Sequence, residues 1–275
     1  MKPFKILIPA DFSESSDNAG NYGFLLANDI NASVILFHVY HIQVPTAEMP
    51  IMVISPQQLE KDNLQRLDHY RNRLMERHIN VTNVECRVSS GFAAEEIARF
   101  VAEEDIDLIV MGVSDSGKVI HALMGSVTTT VLSNVKIPVL VIPESAKYRK
   151  PEKMAFACDY ETEITQKALL ALKSFVDLFE AHLYLVDIRL SETVVAGIND
   201  GGGLLEDALH GISHSSYSPR STDVIAGLME FEKEHNVDLL IMIPRKHSLF
   251  SRIFYPSTTK DMVFKTTAPI LALKE

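Results

Sequence analysis

Short, continuously apolar runs alternate along this chain with longer stretches whose apolar residues recur every three or four positions. The runs Lys5–Pro9, Val34–Val39, Val84–Val88, Leu108–Met111 and Val139–Ile142 predict strands. Ser13–Asn31, Pro56–His78, Ala93–Glu103 and Val127–Asn134 have helical spacing. In Pro56–His78 the residues Leu59, Leu64, Leu67, Tyr70 and Leu74 share one helix face. Strands without polar alternation are buried on both sides, and alternation with helices supplies the cover. The pattern predicts a doubly wound α/β fold with a parallel sheet and right-handed crossovers. Ligands of such sheets bind at the carboxyl ends of the strands, where the strand order reverses.

The pattern occurs twice. "DLIVMGVSDSGKVIHALMGSVTTTVLSNVKIPVLVI" from Asp107 aligns without a gap to "DLLIMIPRKHSLFSRIFYPSTTKDMVFKTTAPILAL" from Asp238. "KILIPADFSE" from Lys5 resembles "MAFACDYETE" from Met154, and "ASVILFHV" from Ala32 resembles "AHLYLVDI" from Ala181. Agreement at both ends, in order, predicts a duplication with domains 1–147 and 152–275. The polar segment Glu144–Lys153 is the expected join. Between its second and third strands the second copy reads "RLSETVVAGINDGGGLLEDALHGISHSSYSP", expected as a loop with a remnant helix.

Composition narrows the function classes. The net charge of -10 leaves no basic footprint for nucleic acid. No apolar run is long enough to span a membrane, and the short run at the N-terminus ends at Asp11 before a signal-peptide core is reached. Cys86 and Cys158 are far apart and sit in apolar runs, which fits buried thiols in a reducing, cytoplasmic setting.

The segment Met111–Val131 carries the candidate chemistry. Gly112 ends the fourth strand, and Gly125 opens a helix beginning Ser126-Val127-Thr128. A helix start offers unpaired N–H groups and a partial positive charge, and a glycine there lets an anion approach the backbone. The same spacing also suits a plain loop followed by a capped helix. Neither a Walker loop nor a dinucleotide fingerprint is present.

With its neighbours the segment resembles the signature of the universal stress protein family, glycine-x2-glycine-x9-glycine-Ser/Thr. "ILIPADFSESS" resembles that family's first strand and its aspartate, "LFHV" its second strand, and Pro138 with Val139–Ile142 its last. The resemblance covers both halves and implies a tandem member with two domains of the adenine nucleotide-binding, HUP-like superfold. It implies ATP or another adenine nucleotide as ligand. Pro9, Ala10 and Asp11 would lie against the adenosine, and the Val39 backbone would read the adenine edge. Met111 and Gly112 would pass beneath the ribose and phosphates, which Gly125, Ser126, Val127 and Thr128 would hold. It further implies an intramolecular pseudo-dimer whose last strands pair antiparallel. A further homodimer stays open, and no downstream protein partner is identified.

Two departures matter. The middle glycine of the signature is Asp115, whose carboxylate repels a triphosphate unless a divalent cation such as Mg intervenes or the side chain turns to solvent. In the second copy Ile243 replaces Gly112, Lys246 replaces Asp115 and Pro256 replaces Gly125. Proline removes a donor, so that copy is expected to have lost this phosphate site. Arg245, Lys246, His247 and Arg252 form a basic loop, read as solvated surface in preference to a second anion site. No catalytic residues and no metal site are expected. His210 and His214 are read as exposed loop histidines, and His38 as a hydrogen-bonded sheet histidine. The expected role is a nucleotide-binding stress-response regulator. The alternatives are a slow ATPase or adenylate-handling enzyme, and an interaction protein without nucleotide.

Overall fold

The computed structural model describes residues 3–42, 55–78, 81, 83–113, 126–158, 164–190, 205, 208–244 and 266–275. The first half runs β1 (Lys5–Pro9), α1 (Glu14–Asp29), β2 (Ser33–Tyr40), α2 (Pro56–Arg77), β3 (Val84–Ser90), α3 (Ala93–Glu103), β4 (Leu108–Val113), α4 (Ser126–Asn134) and β5 (Val139–Pro143). The second runs β6 (Lys153–Ala157), α5 (Gln166–Phe179), β7 (His182–Val186), β8 (Arg189–Leu190), β9 (His214–Tyr217), β10 (Arg220–Ser221), α6 (Val224–His235), β11 (Leu239–Met242) and β12 (Ile270–Ala272).

A single ten-stranded sheet results, ordered β3-β2-β1-β4-β5-β12-β11-β6-β7-β9. Neighbours within each half are parallel. The halves meet where β5 and β12 pair antiparallel, with Leu140 opposite Leu271 and Val141 opposite Ile270. The pairing removes what would otherwise be two apolar sheet edges. β8 and β10 form a separate small parallel ribbon. In the first half the order reverses at β1, which has β2 on one side and β4 on the other. This places the ligand crevice of such folds at the carboxyl ends of β1 and β4.

Alternate side chains of each strand feed two cores. Ile6 and Ile8 join Tyr22 of α1, Tyr70 of α2 and Phe175 of α5 on one face. Leu7 joins Ile97 of α3, Val131 of α4 and Phe231 of α6 on the other. Both cores run through both halves, and each fully buried Leu, Ile or Phe contributes about 1.5–3 kcal/mol. α1 starts at Ser13, whose hydroxyl accepts the Ser16 N–H, with Glu14 and Asp17 in its first turn.

The join is bound to both halves. The Asn18 amide donates to the carbonyls of Pro143 (2.9 Å) and Ala146 (3.0 Å). The Tyr148 hydroxyl donates to Asp29 at 2.6 Å, and Arg149 pairs with Asp238 at 2.5 Å. Asp238 also accepts the N–H groups of Glu152 and Lys153. On α2 the inward face is narrower than its spacing predicts. Leu67, Tyr70 and Leu74 are buried, Leu59 is half-buried and Leu64 is exposed.

Candidate functional site

The turn after β1 is built by its own polar side chains. Pro9 ends the strand, and Ala10 is buried with its N–H donating to the Phe37 carbonyl at 2.8 Å. One carboxylate oxygen of Asp11 accepts both the N–H (2.9 Å) and the hydroxyl (2.5 Å) of Ser13, so Asp11 is fixed by the residue that caps α1. Its own N–H donates to Ser16 Oγ at 3.3 Å. Between them Phe12 has a φ of 67°, a left-handed conformation that costs a bulky residue about 1–3 kcal/mol. Its ring is held by His38 (4.6 Å between centroids), by the edge of Tyr70 (5.8 Å) and by the Arg66 guanidinium 4.0 Å from its centre. Arg66 and Tyr70 come from α2, which closes one side of the crevice.

Strand parity fixes what Val39 offers. In β2 the even-numbered residues bond toward β3: Val34 N–H reaches the Asn83 carbonyl, and the Tyr40 carbonyl accepts from Gly91 N–H. The odd-numbered residues face β1: Ser33 N–H reaches Phe4, and the Phe37 carbonyl accepts from Ala10. Val39 therefore points its N–H and C=O toward β1 at a level where β1 has ended. Among the described residues neither group has a partner. The next acceptor in the ladder, the Ala10 carbonyl, instead takes the His38 ring Nδ1–H at 2.7 Å. Ile42 and Phe92 stay exposed at this rim, with the His41 ring 5.8 Å from that of Phe92.

On the other side, β4 brings Met111 and Gly112 to its carboxyl end. Met111 is buried. A Cβ on Gly112 would collide with the Ser15 carbonyl at the start of α1, so glycine is required there by the chain's own packing. Sequence spacing alone suggests ligand access as the reason. α4 begins at Ser126, with Val127 half-buried against the core and Thr128 buried. Thr128 lies on the same inward face as Val131 and Leu132, and among the described residues its hydroxyl has no partner. Gly125, Asp115 and Gly117 lie outside the described residues.

The second half repeats the frame without these groups. Cys158 N–H donates to Val186 at 3.0 Å, as Ala10 does to Phe37. Where the first half has His38-Val39, this half has Asp187-Ile188. Asp187 pairs with Arg189 at 3.3 Å, and Ile188 is buried. Ile243, opposite Gly112 in the repeat, is buried in the core. Pro256, Ser257, Thr258, Thr259 and the basic positions 245, 246, 247 and 252 lie outside the described residues.

Other chemistry is muted. Burial pushes the Cys86 thiol up to about 12, which removes it as a nucleophile at neutral pH, and Cys158 is buried. His210 is exposed in a turn and His214 lies in β9, so they do not share a helix face. Among the described residues no three metal-ligating side chains cluster, and no helix is long and apolar enough to cross a membrane. His38, read from sequence as a hydrogen-bonded sheet histidine, is one. Its contact with the Ala10 carbonyl joins two separate strands and has no local sequence signal.

Residues 4–143 match the profile of the universal stress protein family. A universal stress protein of Methanocaldococcus jannaschii is 27% identical over 152 residues, covering 54% of this chain and 84% of that relative. A solved universal stress protein from Archaeoglobus fulgidus superposes with a TM-score of 0.69 at 17% identity, covering 98% of this chain and 96% of that one. Another, solved in complex with cAMP, covers 50% of this chain and 96% of its own at 21% identity, with a TM-score of 0.39. The match spans the crevice built by β1, β2 and β4, and the chain belongs to the universal stress protein family.

Proposed function

We propose that this chain is a tandem universal stress protein, with domains 1–147 and 152–275, acting as a cytoplasmic stress-response regulator. It binds one adenine nucleotide, ATP in the first instance, in the first domain. The observation that carries this reading is the Val39 backbone, whose N–H and C=O have no partner among the described residues. A half-buried N–H and C=O side by side, facing a gap left by a finished strand, match the donor–acceptor edge of adenine. Backbone groups in such a place need partners, and a planar base supplies both at once. Pro9, Ala10 and the fixed Asp11 bound the adenosine side. Met111 and Gly112 form the floor, and the α4 start with Gly125, Ser126, Val127 and Thr128 takes the phosphates. A divalent cation such as Mg, bound with the nucleotide, would offset the repulsion between the phosphates and the Asp115 carboxylate. The second domain, with Ile188, Ile243 and Pro256 at the matching positions, binds no nucleotide. The described groups act as hydrogen-bond donors and acceptors, which suits a binding role with at most weak ATPase turnover.

Mass spectrometry of the supernatant from denatured, freshly purified protein tests this. An adenine nucleotide approaching one per chain is expected. No nucleotide in the supernatant, together with no shift of the melting temperature on adding ATP and Mg, would contradict it.

A further inference from the structure

The β1–β2 ladder stops one rung early, and a side chain stops it. Lys5↔Ser33 through Pro9↔Phe37 are in register, and Ala10 N–H still bonds Phe37. The next bond of a parallel ladder would run from Val39 N–H to the Ala10 carbonyl. His38 occupies that carbonyl from within β2, with its ring Nδ1 at 2.7 Å. A carbonyl only accepts, so the ring nitrogen carries the hydrogen and His38 is the donor. The ring is not free to leave. It is buried and packed against Phe12 at 4.6 Å.

We propose that His38 is a positioning residue of the adenine site: its ring N–H takes the Ala10 carbonyl that would otherwise close the ladder onto Val39, and so holds the Val39 N–H and C=O open for the base. This rests on the nucleotide reading above. In the second half Asp187 stands at the place of His38, and Ile188, at the place of Val39, is buried. His38 thereby also secures the turn that carries Asp11, because Ala10 and Phe12 are its two contacts on either side of that residue.

The test uses the full chain and three variants. His38→Phe keeps a ring without a donor. His38→Asn places an amide N–H near the position of Nδ1. His38→Gln keeps a polar group but sets it one bond too far. In the free protein, amide hydrogen exchange at Val39 should slow in His38→Phe and His38→Gln, as the N–H pairs with the released carbonyl, and stay fast in His38→Asn. In titrations, both slow-exchanging variants should lose about tenfold in ATP affinity, the worth of one well-placed hydrogen bond. Their preference for ATP over GTP should vanish while tripolyphosphate binding is unchanged, and His38→Asn should restore the preference. Unchanged Val39 exchange in all variants would overturn the proposal, as would an intact preference for ATP in His38→Phe. A wild-type chain that binds no nucleotide overturns the parent reading instead, and the exchange data then decide the hydrogen-bond swap alone.

Discussion

Gly112 of β4 and Ser15 of α1 touch backbone to backbone. A Cβ added to Gly112 would fall well inside contact distance of the Ser15 carbonyl oxygen. Neither partner is a flexible side-chain tip, so an added methyl must displace either the helix start or the strand. Gly112→Ala is expected to destabilise the chain by about 1–3 kcal/mol, the range for overpacking. A lowered urea midpoint without nucleotide present checks this. An unchanged midpoint would return the glycine to a purely ligand-driven role.

The junction between the halves rests on apolar pairs across β5 and β12. Leu140 faces Leu271, and both are buried. Leu271→Ala should cost about 2–5 kcal/mol. Val139→Lys with Leu271→Lys buries two charges at the seam and should open or aggregate the chain. Small-angle scattering and the melting temperature read the result. An unchanged profile would show that the seam is not what holds the halves.

Three histidines sit below their ordinary value of 6.5: His38, His78 and His182. Burial is the first cause in each. Arg66 adds to it for His38, Arg77 for His78 and His214 for His182. Against these, Ala10, Asn63 and Asp11 pull His38 upward. The folded chain thus binds fewer protons than the unfolded chain just below pH 6.5. This contribution to stability is complete above pH 6.5 and is lost as pH falls through each folded-state value. The urea midpoint should therefore fall between about pH 7.5 and about pH 5, and fall less in His38→Asn. A flat profile in the wild type would contradict the burial argument.

Glu232 on α6 is buried and serves as an acceptor for the segment that leads into β12. It takes the hydroxyls of Thr266 (2.7 Å) and Thr267 (2.9 Å) and the N–H groups of Thr267 (3.1 Å) and Ala268 (3.0 Å). Glu232→Ala takes the acceptor from the Thr267 N–H, at about 1–3 kcal/mol if that group stays buried, while the Ala268 N–H keeps the Thr266 hydroxyl at 3.1 Å. Glu232→Gln keeps an acceptor oxygen and should lose less than half as much. Equal melting temperatures for the two variants would show that the oxygen is not what holds the segment.

Much of this architecture is legible in the chain itself. Unbroken apolar runs such as Val34–Val39 fix the strands, and the repeat of "LIVM" as "LLIM" fixes where β4 and β11 lie. The site is legible in outline only. Gly112 stands out by spacing, yet its reason lies in Ser15, far away in sequence. The open backbone at Val39 depends on where β1 stops, which its own neighbours do not reveal. Phe12 gives no sequence sign of its positive φ, since the ring is held there by His38, Tyr70 and Arg66. The join at Glu144–Lys153 has a linker's composition but is tied down by Asn18, Asp29 and Asp238. Composition records what a segment can tolerate, and partners from elsewhere decide what it does.

Isothermal titration calorimetry of the intact chain with ATP, with and without Mg, tests the central claim most directly. One site per chain is predicted, abolished by Gly125→Val and strengthened without Mg by Asp115→Gly. Pro256→Gly should add no second site, because Ile243 remains buried where the first half has glycine. Two equivalent sites, or heat from ATP that survives Gly125→Val, would contradict a single nucleotide held by the first half.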